Sequence, residues 1–574
     1  MSTVLTRPAQ PALHTLRHLG GKAVARLLGL PPVTTDYTVR RVRVPMRDGV
    51  QLAADHYEPA TASPAGTLLV RGPYGRGFPF NLLYGTTYAA RGYHVVLQSV
   101  RGRFGSGGVF EPMANEVADG ADTVAWLREQ PWFTGRFATL GMSYLGFTQW
   151  ALLQDPPPEL ATAVIVAGTH DWHESTWGTG TFAANDFLDW SDMVAHQEDP
   201  VRIRAAVRHA WTRRKVAKAA AGVPLGGAAR ALLGAGAPWF ESWVEHSQSD
   251  DPFWNALRCN EALDRVQVPV LLMSGWQDIF SRVTLQQYAH LRGRGVDVAL
   301  TVGPWTHPQL PTKAFSACAR ETLDWLGTHL GDAATSRRPG RVRVYVTGGG
   351  GGWRSLPDWP PATTDRALYL RPGGHLGETA PTLKGLRPAI FRYDPDNPTP
   401  TTGGPILSPD GGYRDDSRLA SRADVLAFTS ATLTEDVYAY GSPVVELAHG
   451  ADNPHADLFV RVSEVDAKGR SRNVSEAYRR LRSAAKPKSE KIVRLDLDGM
   501  AHRFRAGSRI RVLIAGSWSP RYAHNLGSGE PVLTGRQPTP VTHTVRYGRS
   551  RLLLPVGPAE LSANGVADPG GDRG

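Results

Sequence analysis

Apolar positions along the first third of the chain recur in two periods. Thr38–Pro45 (TVRRVRVP) alternates apolar and polar residues, Met46-Arg-Asp-Gly49 supplies a turn, and Val50–Tyr57 returns, a pattern that predicts a hairpin. Thr67–Val70, Tyr93–Gln98, Phe137–Leu140 and Ala163–Ala167 are short, almost wholly apolar runs, as expected of strands covered on both faces. Between them, Leu82–Arg91, Glu116–Gln130 and Tyr144–Leu153 read as helices. Strands alternating with helices predict a doubly wound, mostly parallel sheet, with its functional groups at the carboxyl ends of the strands.

The alternation stops near His170 and resumes at Val268, where Val268–Ser274 and Val298–Val302 are again buried strands and Ala317–Leu330 a closing helix. The intervening stretch is rich in tryptophan and carries helical runs such as Val201–Ala221, so it is expected to cap the site. After a linker near Arg337–Gly340, short strands follow at Val342–Val346, Ala367–Leu370, Val444–Leu447, Leu458–Val465, Ile492–Leu497 and Ile510–Ala515, with turn signals between them. The expected organisation is an arm over 1–35, an α/β core over 36–169 and 267–335, a helical cap over 170–266, an all-β, jelly-roll-like sandwich over 341–558, and a disordered tail over 559–574. Lys486–Lys491 reads as a solvated loop or edge.

A length of 574 residues exceeds what one hydrophobic core accommodates, in keeping with several domains. The formal net charge of +11 raises the question of nucleic acid. The basic residues are scattered and mostly arginine, with no recognition motif, so no nucleic-acid partner is expected. No apolar run is long enough to span a bilayer. The leading segment could place Leu13, Leu16, Leu19, Val24, Leu27 and Leu28 on one helical face, but Gly20-Gly21 interrupts it and no clear cleavage site follows. A cytoplasmic location is expected, with secretion left open. Cys259 and Cys318 are too few for a disulfide framework or a metal site and are expected to be free thiols, with a single bridge between them as the alternative. With no HExxH or similar cluster, no metal or other cofactor is expected.

The candidate chemistry centres on Phe137-Ala-Thr-Leu-Gly-Met-Ser143-Tyr-Leu-Gly146. A strand, a serine flanked by glycines and a helix form the layout of a nucleophile elbow, in which a strained turn lifts the serine hydroxyl above the sheet. The second glycine falls one residue later than the usual G-x-S-x-G spacing. The Tyr144 N–H would open the following helix, where it is placed to stabilise an oxyanion. Two further residues stand at strand ends: Asp278 in Gly275-Trp-Gln-Asp278 and His307 in Gly303-Pro-Trp-Thr-His307. Serine needs a base within reach, histidine has the basicity to take and return a proton, and a buried aspartate holds the imidazole tautomer. The order Ser143, Asp278, His307 is that of nucleophile, acid and base in α/β-hydrolases.

These motifs, together with RGPYGRG around Tyr74 and with RVRVYV, WRSLPDWPP and RIRVLIAGSWSPRY in the C-terminal half, resemble the X-Pro dipeptidyl-peptidase and cocaine-esterase family of serine hydrolases. The resemblance runs from about Val39 nearly to the end. It implies an α/β-hydrolase core, an inserted helical cap and a C-terminal jelly roll. It also implies Ser143 as nucleophile, His307 as base, Asp278 as its orienting acid, and the Tyr74 hydroxyl with the Tyr144 N–H as oxyanion hole. Trp177 and Phe280 would border the acyl pocket. One departure stands out, in that Gln98-Ser-Val-Arg101-Gly lacks the aspartate that relatives often carry before Arg-Gly. The expected substrate is a small ester, amide or short peptide. Esterase or acylase activity is preferred, with release of Xaa-Pro dipeptides as the alternative. Peptides with a free α-ammonium group would need a carboxylate, for which Asp171, Glu174, Asp186 and Asp189 are available. A binding protein with a vestigial hydrolase core is the alternative of another class. The sandwich would buttress core and cap or mediate self-association.

Overall fold

The computed structural model describes residues 25–26, 28–198, 212–331, 338–482 and 491–559. The leading helical face apart from Leu28, the first half of Val201–Ala221, most of Lys486–Lys491 and nearly all of the tail lie outside these residues.

The predicted alternation folds into a ten-stranded sheet. In chain order its strands are β1 (Tyr37–Pro45), β2 (Gln51–Pro59), β3 (Gly66–Gly72), β4 (Tyr93–Ser99), β5 (Phe137–Met142), β6 (Leu160–Val166), β7 (Val270–Gln277), β8 (Val298–Thr306), β9 (Val342–Val346) and β10 (Gly352–Leu356). In space the order is β1-β2-β4-β3-β5-β6-β7-β8-β9-β10. The hairpin β1–β2 joins β4 antiparallel, and from β4 to β9 the pairing is parallel. Every residue of β3, β4 and β7 is buried, because crossover helices cover both faces of a parallel sheet.

The sequence reading assigned Val342–Val346 to the C-terminal sandwich, and the structure corrects this. β9 pairs in parallel with β8, and β10 closes that edge antiparallel, so residues 342–356 complete the α/β sheet. The alternating burial of β9 marks a strand with one covered face. Such a period identifies a strand but not the edge it joins, and β8 offered an unpaired backbone edge.

The all-β part therefore starts at β11 (Thr364–Arg371). Its sheet also contains β12 (His375–Gly377), β13 (Ala389–Tyr393), β14 (Val425–Ser430), β15 (Val437–Gly441), β16 (Val444–Ala451), β17 (His455–Val465), β18 (Ser471–Arg482), β19 (Lys491–Asp496), β20 (Met500–Phe504), β21 (Arg509–Ala515) and β22 (Val541–Val556). The long β22 pairs with β11, β13, β15 and β16, and so ties the sheet together.

Between β6 and β7 the regular elements among the described residues are all helices, including Trp172–Trp177, Ala184–His196, Leu225–Leu233 and Trp239–Glu245. Their core is aromatic: the Trp172, Trp190, Trp239 and Trp243 rings lie 5.2–6.4 Å apart in a connected cluster. The all-β part holds both other layers. Gln277, one residue before Asp278, donates to the Val474 carbonyl at 3.0 Å, and Ala523 N–H donates to Phe182 O in the cap at 2.8 Å. The segment preceding β1 rests on the core, with Thr34 N–H donating to Ala90 O at 2.9 Å and Ser316 and Arg320 donating to Leu28 O.

Candidate active site

β5 ends at Met142, and Ser143 turns the chain into the buried helix Tyr144–Leu152 with φ 61° and ψ −123°. A residue with a Cβ pays about 1–3 kcal/mol for such a conformation, and it persists only where its surroundings enforce it. Here Ser143 N–H donates to Val166 O on β6 at 2.9 Å, and Ser143 O accepts from Gly146 N–H at 2.8 Å. The displaced second glycine also acquires a reason. Leu145 occupies the position where a small residue was expected, and its side chain fills the space that a Cβ on Gly72 or Gly141 would need, at 2.4 and 2.3 Å. Gly146 is instead where the helix touches the chain after β6, since a Cβ there would lie 2.6 Å from the Gly168 Cα. The close approach has moved one residue along the helix, and the glycine has moved with it.

His307 follows β8 and starts a short 3-10 turn, stabilised by a capping box between Thr306 and Gln309. Its Nδ1 donates to Asp278 Oδ2 at 2.8 Å, and the Phe280 N–H donates to the other carboxylate oxygen at 2.6 Å. Both side chains are buried. The Phe280 ring meets the imidazole edge-on at 5.4 Å. The elements carrying Ser143, Asp278 and His307 thus converge at the carboxyl ends of β5, β7 and β8, and Ser143 itself is half-buried.

Tyr74 leaves the loop after β3. Its hydroxyl lies within hydrogen-bonding reach of the Ser143 side chain and the Tyr144 backbone N–H, and it accepts from Trp190 Nε1 at 3.0 Å. Burial pushes the Tyr74 phenol up from its ordinary value against these hydrogen bonds, so it is a neutral donor at physiological pH. Tyr144 sets its ring edge-on to Tyr74 and parallel to Trp190, with its hydroxyl turned to Glu116. Its hydroxyl donates to Glu116 at 2.8 Å and accepts from Met113 N–H at 2.8 Å. Glu116 forms a 3.0 Å ion pair with Arg71, both side chains being 3% exposed. Burial raises the Glu116 carboxyl and Arg71 opposes the shift.

Trp177 is spent inside the cap: it is buried, its indole donates to the Trp243 carbonyl at 2.8 Å, and its ring leans on Phe182. Among the described residues the cap tryptophan that donates to Tyr74 is Trp190, one of several in a stretch that the sequence marks only as rich in tryptophan. No local signal distinguishes it from its neighbours. Of the four cap carboxylates, Asp171 caps the helix Trp172–Trp177 and pairs with Arg258 at 3.2 Å. Glu174 and Asp186 face a cavity behind Phe280, while Asp189 is half-buried, its carboxyl pushed up to about 7 by burial and by Asp186 and Asp192. In the Arg-Gly loop, Arg101 is held by Asp119 at 2.7 Å and Asp48 at 2.6 Å. Ser99, two residues before Arg101, accepts from Arg76, whose charge is met by Asp55 at 3.2 Å. Among the described residues no cluster of histidine, cysteine and carboxylate could hold a metal, and no helix is long and apolar enough to cross a membrane. Cys259 and Cys318 are both free.

An elbow serine and a buried Asp–His pair at the strand ends of a parallel sheet define a serine hydrolase of the α/β-hydrolase fold. Two family models cover most of the chain: X-Pro dipeptidyl-peptidase (S15 family) over residues 48–309, and the X-Pro dipeptidyl-peptidase C-terminal non-catalytic domain over 335–552. The chain belongs to the X-Pro dipeptidyl-peptidase and cocaine-esterase family. It is similar to the cocaine esterase of Rhodococcus sp. (strain MB1 Bresler), with 28% identity over 91% of this chain and 99% of that protein. Two solved structures share the fold at TM-score 0.77 and 24% identity, each over 92% of this chain and 98% of theirs. They are an aminopeptidase from a marine sediment Thaumarchaeota archaeon and an α-amino acid ester hydrolase.

Proposed function

We propose that the chain hydrolyses esters or amides of small acyl groups through an acyl-enzyme on Ser143. The observation that carries the reading is the buried 2.8 Å Asp278–His307 hydrogen bond, together with a strained serine beside the Tyr74 hydroxyl. In this reading Ser143 Oγ attacks the acyl carbonyl carbon while His307 takes the hydroxyl proton through Nε2. Asp278 holds Nδ1–H and stabilises the imidazolium. The carbonyl oxygen becomes an oxyanion between the Tyr74 O–H and the Tyr144 N–H, each such donor being worth about 10²–10³ in rate. The tetrahedral adduct collapses, the alkoxide or amine leaves with the proton from His307, and water repeats the sequence on the acyl-enzyme. Phe280 against His307 supports a role beside the acyl pocket.

A second reading concerns what the acyl group carries. Behind Phe280, a cavity of ≈ 80 Å³ is bordered by Glu174 and Asp186 of the cap and by Glu476 and Asp498 of the all-β part, with Arg282 and Arg521 as counter-charges. Arg521 pairs with Glu476 at 2.7 Å and lies 3.8 Å from Asp186. Burial pushes Asp186 and Asp498 up to about 6. Glu476 is held between Arg461 and Arg521, whereas burial disfavours the charge on Glu174, Asp186 and Asp498, and these three would welcome a cation, which favours acyl groups with a free amine, as in aminoacyl esters or Xaa-Pro peptides.

The test pairs the wild type with Ser143→Ala on 4-nitrophenyl esters and on Xaa-Pro anilides, unblocked and N-acetylated. Loss of the nucleophile should lower turnover by about 10⁶-fold. Ester cleavage indifferent to a free amine would support the first reading alone. Preference for unblocked substrates, reduced in Glu174→Gln, would support the second. Unchanged turnover in Ser143→Ala would remove both.

A further inference from the structure

The Tyr74 hydroxyl is asked to give its hydrogen to an oxyanion, and a phenol is free to point that hydrogen elsewhere. What surrounds the oxygen decides. A phenolic oxygen donates one hydrogen bond and accepts others. Two of its neighbours, the Trp190 indole N–H at 3.0 Å and the Tyr144 backbone N–H, can only donate. With the Trp190 N–H directed at the oxygen and the Tyr144 N–H beside it, the hydrogen of Tyr74 is left for an acceptor, and Ser143 Oγ stands among its neighbours. An oxyanion formed at Ser143 would draw the Tyr144 N–H to itself, and Trp190 would be the donor that remains on Tyr74.

We infer that Trp190 is a positioning residue of the cap that orients and polarises the Tyr74 hydroxyl towards the oxyanion. The inference rests on the assignment of Tyr74 as an oxyanion donor. A phenol that accepts a hydrogen bond is a stronger donor, because hydrogen bonds in a chain reinforce one another in a dry site. The indole is well held for this task. Its ring lies nearly parallel to that of Tyr144, at 7° and 6.2 Å, and packs against Trp172, Trp239 and Trp243. The helix that carries it, Ala184–His196, is also clipped to the Tyr74 loop: Arg103 donates to Val194 O at 3.0 Å and to Pro73 O at 3.3 Å. A cap element therefore completes the hydrogen-bond chain of the core, and a cap displaced from the core would leave Tyr74 undirected.

The test is a double-mutant cycle of Trp190→Phe and Tyr74→Phe, read as kcat and KM on a 4-nitrophenyl ester and as affinity for a boronic acid, whose tetrahedral adduct with serine occupies the oxyanion site. Trp190→Phe keeps an aromatic ring on Tyr144 and removes the N–H. Losing one polarising hydrogen bond should lower kcat and boronate affinity by roughly fivefold to tenfold with KM within twofold. In the Tyr74→Phe background the same replacement should change neither. An equal loss in both backgrounds would overturn the inference and leave Trp190 a packing residue. If Tyr74→Phe itself leaves kcat unchanged, the oxyanion assignment fails first. Should Trp190→Phe fold poorly, benzothienylalanine introduced at this position keeps the bicyclic shape without the donor, and the same cycle applies.

Discussion

Replacing Gly146 with alanine separates two properties of the elbow helix that are usually confounded. In an exposed helix interior, glycine to alanine stabilises by about 1 kcal/mol. At this position the new Cβ would lie 2.6 Å from the Gly168 Cα, 3.2 Å from Ile165 Cγ2 and 3.3 Å from Gly168 N. Two of these three are backbone atoms of the segment after β6, which cannot rotate away. Restoring an ordinary carbon–carbon separation of about 3.5–4.0 Å requires the helix to retreat by roughly 1 Å. Overpacking of this kind costs typically about 1–3 kcal/mol, enough to cancel the propensity gain and lower the melting temperature. The larger effect should be on rate. Ser143 and the Tyr144 N–H are three and two residues from Gly146 on the same rigid turn, so they move with it. A misplacement of about 1 Å in a catalytic array costs about 10²-fold. The assay is kcat on a 4-nitrophenyl ester with KM, the labelling rate with a fluorophosphonate, and thermal unfolding on the same samples. The expected outcome is a fall in kcat and labelling of about 10²-fold, with a modest loss of stability. If Gly146→Ala melts higher than the wild type and keeps kcat within twofold, the helix is not packed on Gly168 as described, and the explanation for the displaced glycine is wrong.

Three further outcomes follow from the same geometry. Asp278→Asn presents an amide N–H to His307 Nδ1, favours the wrong tautomer, and should lower kcat by about 10⁴-fold while circular dichroism stays unchanged. Arg71→Met leaves Glu116 buried without its 3.0 Å partner and should cost about 3–5 kcal/mol in chemical denaturation, whereas the double replacement with Glu116→Leu should recover much of it. Asp189, pushed up to about 7 by burial and by Asp186 and Asp192, contributes stability that is complete below the ordinary carboxylate value and is lost as pH rises through about 7. Asp189→Asn should therefore melt higher than the wild type at pH 8 and equally at pH 3.5, with the gap opening between. A constant gap across this range would show that the carboxylate is solvated.

The local elements were legible because their physical causes are local. Runs such as Val268–Ser274 and Val298–Val302 carry enough apolar surface to be buried wherever they fall, and a glycine-flanked serine between a strand and a helix gained its meaning once Asp278 and His307 also stood at strand ends in the right order. Residue order alone placed Ser143, Asp278 and His307 at the ends of strands that prove to be β5, β7 and β8. The pairing of strands was less legible. The alternation of Val342–Val346 described a strand with one covered face, and only the open edge of β8 decided that it would complete the α/β sheet. The offset glycine could be seen but not explained, since its reason lies at Gly168, 22 residues further along. The cap was the least legible part. Trp177 and Trp190 sit in similar tryptophan-rich sequence, yet one donates its N–H to a neighbouring cap carbonyl and the other to Tyr74. The partner of an indole N–H is chosen by the docking of one layer on another. So is the meeting of Glu174 and Asp186 with Glu476 and Asp498, residues about 300 positions apart, around one cavity. A hydrophobic period specifies how much of an element is covered, and together with the glycine-flanked serine it determined the kinds of layer in this chain and the place of its elbow. Which side chains face one another across those layers depends on contacts without sequence period, and the tertiary structure alone decided them.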